Sequence, residues 1–259
     1  MSYKIAFFDI DGTLVNEDKI VPQDTIEAIR EIKQLGVEPV IATGRAPYFL
    51  NSLLEEVGIE SYVCLNGALA VYKGEVIYRN PIAPSTVEAF VSLARQQGHA
   101  LCFEGESRYA TDQLDNERVI RSIQSLKIQF PEQEHDFWSK EPIYQMFLHV
   151  VEGEDQPYET FHDRLTFIRW HEDALDVLPF GGSKAKGIEA MLSRLGIDKS
   201  EALAFGDGLN DKEMLQYIGF GIAMGNAHPD VIPYADYVTT HVDEQGIRKG
   251  LIAAGLLER

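Results

Sequence analysis

The run Ile5-Ala6-Phe7-Phe8 is apolar without alternation, and it ends directly in Asp9-Ile10-Asp11-Gly12. A strand with one wet face alternates, whereas a short unbroken apolar run matches a parallel strand covered on both faces. Asp9 and Asp11 then sit at its carboxyl end, where side chains at i and i+2 can project to one side. Gly12 permits a sharp turn after them. Open α/β sheets place their ligands at that edge, and acids there are costly to bury unless something uses them. Taken alone, Asp-x-Asp-Gly reads first as a surface turn. A Ca²⁺ loop of the EF-hand type needs further acids at alternate positions and a Glu at its twelfth. The apolar strand before the acids and Thr13-Leu14-Val15 after them do not fit such a loop.

The rest of the first third continues the α/β rhythm. Residues 22–35 read as a helix, with Pro22 suited to a first turn, Ile26, Ile29, Ile32 and Leu35 as an apolar stripe, and Gly36 as the stop. A strand over 37–42 follows and ends in Thr43-Gly44-Arg45. Strand, helix, strand is a βαβ unit with parallel strands, so Asp9 and Thr43 are expected at the same edge. A helix beginning near Ala46-Pro47 offers free N–H groups to an anion, though Thr-Gly is also a common helix cap. A third strand at 61–65 ends at Asn66-Gly67, and 68–72 with 75–78 form a hairpin around Lys73-Gly74.

From Pro81 to Pro84 the pattern changes. A helix over 86–97, strands at 100–103 and 108–111, a helix over 115–125, a loop over 130–142, a strand at 143–151, a short helix over 157–164 and strands at 166–170 and 174–179 read as an inserted α+β layer. After Gly181-Gly182 come a helix over 184–195, a strand at 201–205 leading into Gly206-Asp207-Gly208-Leu209-Asn210-Asp211, a helix over 212–217, strands at 219–224 and 237–239, and a closing helix over 246–256. The fold expected is α/β, a doubly wound and mainly parallel sheet formed by 1–82 and 181–259, with 83–180 as an inserted α+β cap acting as a substrate lid.

Composition narrows the function. A net charge of −18 opposes broad binding to nucleic acid or anionic membranes. No stretch is long and apolar enough to span a membrane, and no basic segment with an apolar signal core opens the chain. Cys64 and Cys102 form no Cys-x-x-Cys and read as reduced, buried thiols. A cytoplasmic protein is expected, with a small phosphorylated metabolite as partner and a monomeric or weakly homodimeric state.

The order Asp9-x-Asp11-Gly12-Thr13, Thr43-Gly44-Arg45, Lys184, then Gly206-Asp207-Gly208-x-Asn210-Asp211 resembles the haloacid dehalogenase-like phosphatases, and among them the Cof type, whose cap is inserted between the second and third motifs. The resemblance covers the whole core; in the cap it rests on position and strand pattern. It implies that Asp9 is the nucleophile, forming an aspartyl-phosphate. Asp11 would be general acid to the leaving alcohol and then general base to water. It implies a Mg²⁺ site from Asp9, Asp207 and the backbone carbonyl of Asp11, with Asp211 a ligand through water or an anchor behind the site. Thr43, the N–H groups of Gly44 and Ile10, Lys184 and Asn210 would hold the phosphoryl oxygens. Arg45 fits a substrate contact and a solvated ion pair equally. Trp138, Trp170, Phe103 and Phe180 are expected in the core of the cap, and His149 and His171 are expected to be structural.

Ser183-Lys184-Ala185-Lys186-Gly187 offers two lysines. Ile188, Met191, Leu192 and Leu195 form the buried stripe of their helix, and Lys184 extends it by one turn. Lys186 lies about 200° round from Lys184 and is expected in solvent. The reading is a Mg²⁺-dependent hydrolase of a small phosphate monoester. A phosphotransferase or mutase on the same site, or a sugar-phosphate-binding regulator, is the alternative; a pure binder has no need of a nucleophile.

Overall fold

The computed structural model describes residues 3–258. β1 (Ile5–Phe8) leads through the turn at 9–15 to α1 (Gln23–Gln34), β2 (Glu38–Ala42), a 3₁₀ turn at Pro47–Phe49, α2 (Asn51–Val57), β3 (Ser61–Cys64) and the hairpin of β4 (Leu69–Tyr72) and β5 (Glu75–Arg79). The middle of the chain forms α3 (Pro84–Gln97), β6 (Ala100–Glu104), β7 (Tyr109–Thr111), α4 (Glu117–Leu126), β8 (Glu132–Gln133), β9 (Gln145–His149), β10 (Leu165–His171) and β11 (Ala174–Pro179). The remainder supplies α5 (Lys184–Leu195), β12 (Ala202–Gly206), α6 (Lys212–Tyr217), β13 (Phe220–Ala223), β14 (Tyr237–Val238) and α7 (Gly246–Ala253). No helix among the described residues is long and apolar enough to cross a membrane.

The chain divides into two compact units. One comprises the residues up to Arg45, Leu50–Arg79 and those from Ser183 on; the other comprises Ala46–Phe49 and Asn80–Gly182. The first unit is built on an eight-stranded sheet of order β14-β13-β12-β1-β2-β3-β4-β5. β14 through β3 run parallel, and the hairpin is antiparallel at one edge. Every residue of β1 is buried, as its unbroken apolar run requires. Phe7 lies opposite Ala204 on one side and Val40 on the other. That register brings the carboxyl ends of β1, β2 and β12 to one edge, where their loops carry Asp9, Thr43 and Asp207. Ile188 and Met191 of α5 pack with Phe7, Val40 and Val63, each fully buried side chain contributing about 1.5–3 kcal/mol. α5 starts at Ser183, whose side chain accepts from Lys186 N, and stops at Gly196 with φ 65°.

The second unit has a six-stranded sheet of order β10-β11-β9-β6-β7-β8, antiparallel except for β7 with β8. One face packs Leu101, Phe103, Met146, Leu148 and Val177 against Phe90 and Val91 of α3. The other carries Ala100, Cys102 and Phe147 against Val119 and Ile123 of α4. Tyr48 and Phe49 join this unit by packing on the Tyr109 ring.

Several expectations change. Residues 130–142 are not all loop: Glu132 and Gln133 pair with Ala110 and Thr111, and a 3₁₀ turn at Phe137–Ser139 buries Phe137. Two polar residues in ladder are too short a run to show alternation. The short helix near 157–164 is a 3₁₀ segment at Gln156–Phe161. The helix expected near Pro47 begins as 3₁₀ and becomes α-helical only at Asn51. Phe180 is 66% exposed rather than in the core, beside Gly181 with φ 67°, where the chain turns out of β11. Phe103 is fully buried, Trp138 and Trp170 partly so.

Candidate active site

Asp9 follows β1 and is buried, its backbone N–H donating to Phe205 O of β12. Beside it Lys184, at the first position of α5 and 1% exposed, donates from Nζ to Asp9 Oδ1 at 2.5 Å and to Asp211 Oδ1 at 2.6 Å. Lys186 lies on the outer face with Glu189. Burial works to lower the Lys184 ammonium, but Asp211 and Asp9 overcome it and hold its pKa above the usual lysine range. Burial drives the Asp9 carboxyl well up, Lys184 opposes, and Asp211, Asp207 and Asp11 add to the rise.

The Asp207 loop is closed by its own backbone. Asp211 is fully buried, and its Oδ2 accepts from the N–H groups of Asp207 (3.0 Å) and Gly208 (2.9 Å). Thr13 Oγ1 donates to Asp207 Oδ1 at 2.7 Å. Gly12 has φ +81°, and a Cβ there would stand 2.2 Å from Asp207 Oδ2. One Cβ would thus fill the space in which the Asp207 carboxylate lies. Burial and the nearby acids push Asp207 up to about 6 against the Thr13 hydrogen bond and Lys184. Oxygen atoms of Asp9, Asp207 and Asp211 lie within 4.8 Å of one another. Three carboxylates, of which Asp9 and Asp211 are buried and Asp207 is half-buried, against one ammonium leave negative charge in excess, and an all-oxygen donor set is what a hard divalent cation takes. The residues present therefore fit a Mg²⁺-class ion.

Asp11 is turned to another set of partners. Arg45 grips it with Nε to Oδ2 (3.0 Å) and Nη2 to Oδ1 (2.6 Å), and Lys19 Nζ adds a contact to Oδ1 at 2.6 Å. Burial would raise this carboxyl, but the Arg45 and Lys19 charges outweigh it and hold it below the usual range. Arg45 is thereby a half-buried ion-pair partner of Asp11 rather than a free helix-end charge. The turn that carries Asp11 is fixed at Ile10, whose carbonyl accepts from the N–H groups of Thr13, Leu14 and Val15. A cavity of about 240 Å³ opens beside it, lined among others by Asp11, Lys19, Asp207, Asn226 and His241.

Thr43 is buried at the end of β2, and its Oγ1 accepts from Arg45 N at 3.1 Å. Gly44 lies against the Asn66 carboxamide. Asn210 Nδ2 donates to Asn66 Oδ1 at 3.2 Å. Asp9, Asp207, Asp211 and Lys184 thus stand in one cluster, Thr43, Gly44 and Asn210 are tied together through Asn66, and Asp11 sits aside with Arg45. Reading the sequence did not single out Thr13, Lys19, Asn66 or Asn226 for a role; Asn226 Nδ2 donates to Gly12 O at 2.7 Å and its Oδ1 accepts from Val242 N. Thr13 and Asn66 stood inside or beside the motifs, so their neighbourhood was the available signal.

The family model of haloacid dehalogenase-like hydrolases matches residues 6–251. The Bacillus subtilis protein YkrA, named a putative phosphatase, is 39% identical over 258 residues, covering 100% of both chains. A crystal structure of a hypothetical protein from Geobacillus kaustophilus HTA426 superposes with a TM-score of 0.93 at 44% identity, covering 99% of this chain and 100% of that one. The subclass IIB sugar phosphatase BT4131 superposes with a TM-score of 0.86 at 33% identity, over 98% of this chain and 100% of its own.

Proposed function

The chain belongs to the haloacid dehalogenase-like hydrolases and is a phosphatase acting on phosphate monoesters, and on that premise we propose that its substrate is a sugar phosphate or a similarly small metabolite, split through an aspartyl-phosphate at Asp9. The observation that carries this reading is Lys184 Nζ, buried and held between Asp9 and Asp211. It places a fixed positive charge beside a carboxylate at the ligand edge of the sheet, which suits attack on an anionic phosphoryl group.

In the first step an Asp9 carboxylate oxygen bonds to phosphorus, the bond from phosphorus to the substrate oxygen breaks, and Asp11 gives its proton to the departing alcohol. In the second, Asp11 takes a proton from water as that water attacks phosphorus; the bond to Asp9 breaks and inorganic phosphate leaves. Arg45 and Lys19 favour the ionised form of Asp11, so Asp11 must leave that clamp to act as the acid. The Thr43 hydroxyl, the N–H groups of Ile10 and Gly44, Lys184 and Asn210 hold the phosphoryl oxygens. Asp9, Asp207 and the Asp11 backbone carbonyl would hold Mg²⁺, with Asp211 keeping the loop in shape. A bound Mg²⁺ offsets the repulsion between Asp9 and phosphate.

The substrate class is supported by the likeness to a sugar phosphatase. The test is phosphate release from p-nitrophenyl phosphate and from a panel of phosphorylated sugars and other small metabolites, with Mg²⁺ and after its removal by chelator. Release that needs Mg²⁺ and favours phosphorylated sugars is expected. No release from any of them in Mg²⁺ overturns the reading.

A further inference from the structure

Three consecutive residues after β3 are left-handed: Leu65 (φ 52°), Asn66 (φ 49°) and Gly67 (φ 92°). Only glycine adopts this conformation freely. Asn tolerates it, and for a bulkier residue it costs roughly 1–2 kcal/mol. Strain of this kind persists where the surroundings over-determine it, and it gathers at functional sites. Here the surroundings are on every side. Leu65 N donates to Arg45 O at 3.0 Å and Asn66 N to Thr43 O at 3.1 Å, which knits the turn to the Thr43-Gly44-Arg45 loop. A Cβ on Gly67 would meet Ser183 O at 2.0 Å, and one on Gly187 would meet Gly67 Cα at 2.7 Å, so the turn also sits against the start of α5.

The effect is to deliver one side chain. Asn66 is 2% exposed. The edge of its carboxamide faces Gly44, where a Cβ would be 3.0 Å from both Oδ1 and Nδ2. Its Oδ1 accepts from Asn210 Nδ2. An Asn carboxamide has two N–H donors and can rotate by half a turn. Engaging one N–H with Asn66 fixes which end of the Asn210 amide is the nitrogen and leaves its other N–H for a phosphoryl oxygen.

We propose that Asn66 is a positioning residue of the phosphoryl pocket, which orients the Asn210 carboxamide and seats it against the Thr43-Gly44 loop. This rests on the phosphatase reading above and adds to it a residue outside the four motifs. Asn66→Gly removes the carboxamide while suiting the backbone at φ 49°, so the variant is expected to fold with little change in melting temperature. The decisive experiment is a double-mutant cycle of Asn66→Gly and Asn210→Ala, read in kcat/KM for p-nitrophenyl phosphate and, separately, in the affinity for inorganic phosphate with Mg²⁺ by calorimetry.

If Asn66 works through Asn210, each single change lowers both quantities by about tenfold, the scale of one lost hydrogen bond to a charged group, and the double variant is no worse than Asn210→Ala alone. Factors that multiply in the double variant, or an Asn66→Gly protein as good as the wild type, overturn the proposal. Should Asn66→Gly not fold, Asn66→Ser, whose side chain is too short to reach Asn210, takes its place in the same cycle; its loss must likewise vanish in the Asn210→Ala background, and losses that multiply refute the proposal. The phosphate-affinity arm needs no turnover. A wild type that binds phosphate without hydrolysing esters strikes the functional reading, whereas multiplying losses of phosphate affinity strike this inference.

Discussion

His149 is a buried histidine whose surroundings favour its neutral form. It lies on β9, 1% exposed, with Cys102 Sγ 3.4 Å from Nε2 and Ser122 Oγ 3.2 Å from Nδ1. Burial depresses its pKa from 6.5 to about 3; nearby Asp173 acts the other way, and His171 and Arg118 add to the fall. Neither close partner can offset an imidazolium, because Ser122 is neutral and burial pushes the Cys102 thiol far up. The unfolded chain binds a proton at this residue below pH 6.5 and the folded chain does not until near 3, so stability is present above the unfolded value and is lost as pH falls through that window. Between pH 7.5 and 4.5 the two pKa values correspond to a loss of about 3 kcal/mol. His149→Gln keeps a neutral polar side chain that does not titrate, and it removes that slope while leaving the other titrating groups in place. Trp138 and Trp170 are the two tryptophans of the chain and both lie in the second unit, so urea unfolding followed by tryptophan fluorescence reports the unit that holds His149. Wild type should lose about 2–3 kcal/mol more than His149→Gln between the two pH values. Parallel losses, differing by less than about 0.5 kcal/mol, would refute the argument that this histidine is held neutral.

Lys184→Ala is expected to abolish phosphate release and to destabilise the fold by about 3–5 kcal/mol, the effect of leaving buried carboxylates without their cation; steady-state kinetics and denaturant midpoints measure both. Lys186→Ala, which removes an ion pair with the exposed Glu189, should leave turnover and midpoint unchanged, and the opposite assignment of the two lysines would show in the same assays. Gly12→Ala places a methyl group 2.2 Å from Asp207 Oδ2 at a φ of +81°. It should raise the Mg²⁺ concentration needed for half-maximal activity by at least tenfold, an effect a titration of activity against Mg²⁺ would expose.

The core was legible because its strands are buried on both faces and so appear in sequence as unbroken apolar runs, Ile5–Phe8 and Ala202–Gly206 above all. Each run ends where a site loop begins, so Asp9 and Asp207 could be placed at the sheet edge. α5 was legible for a different reason: Ser183 caps it, Gly196 stops it, and Ile188, Met191 and Leu192 mark its buried face. What stayed hidden depends on distant partners. Thr13 meets Asp207 across 194 positions and Asn210 meets Asn66 across 144, and no local pattern encodes either. The direction of Asp11 was equally out of reach, because it is set by Arg45 and by Lys19, a left-handed residue with φ 65°. β8 was missed because its two residues are exposed and polar, and Phe180 because an aromatic residue next to a buried strand gives no sign of which way the chain turns.

The proposed reaction requires transfer of phosphate to Asp9. Asp11→Asn makes that intermediate accessible: with an aryl phosphate the leaving group needs no proton, so the first step proceeds, while the second lacks its base and slows by about 10²–10⁴. Quenching this variant during turnover, reducing with borohydride and digesting for mass spectrometry should convert residue 9, and no other aspartate, to homoserine, as reduction of an aspartyl-phosphate requires. Unmodified Asp9 in a variant that still releases phosphate, or homoserine at another aspartate, would contradict the account.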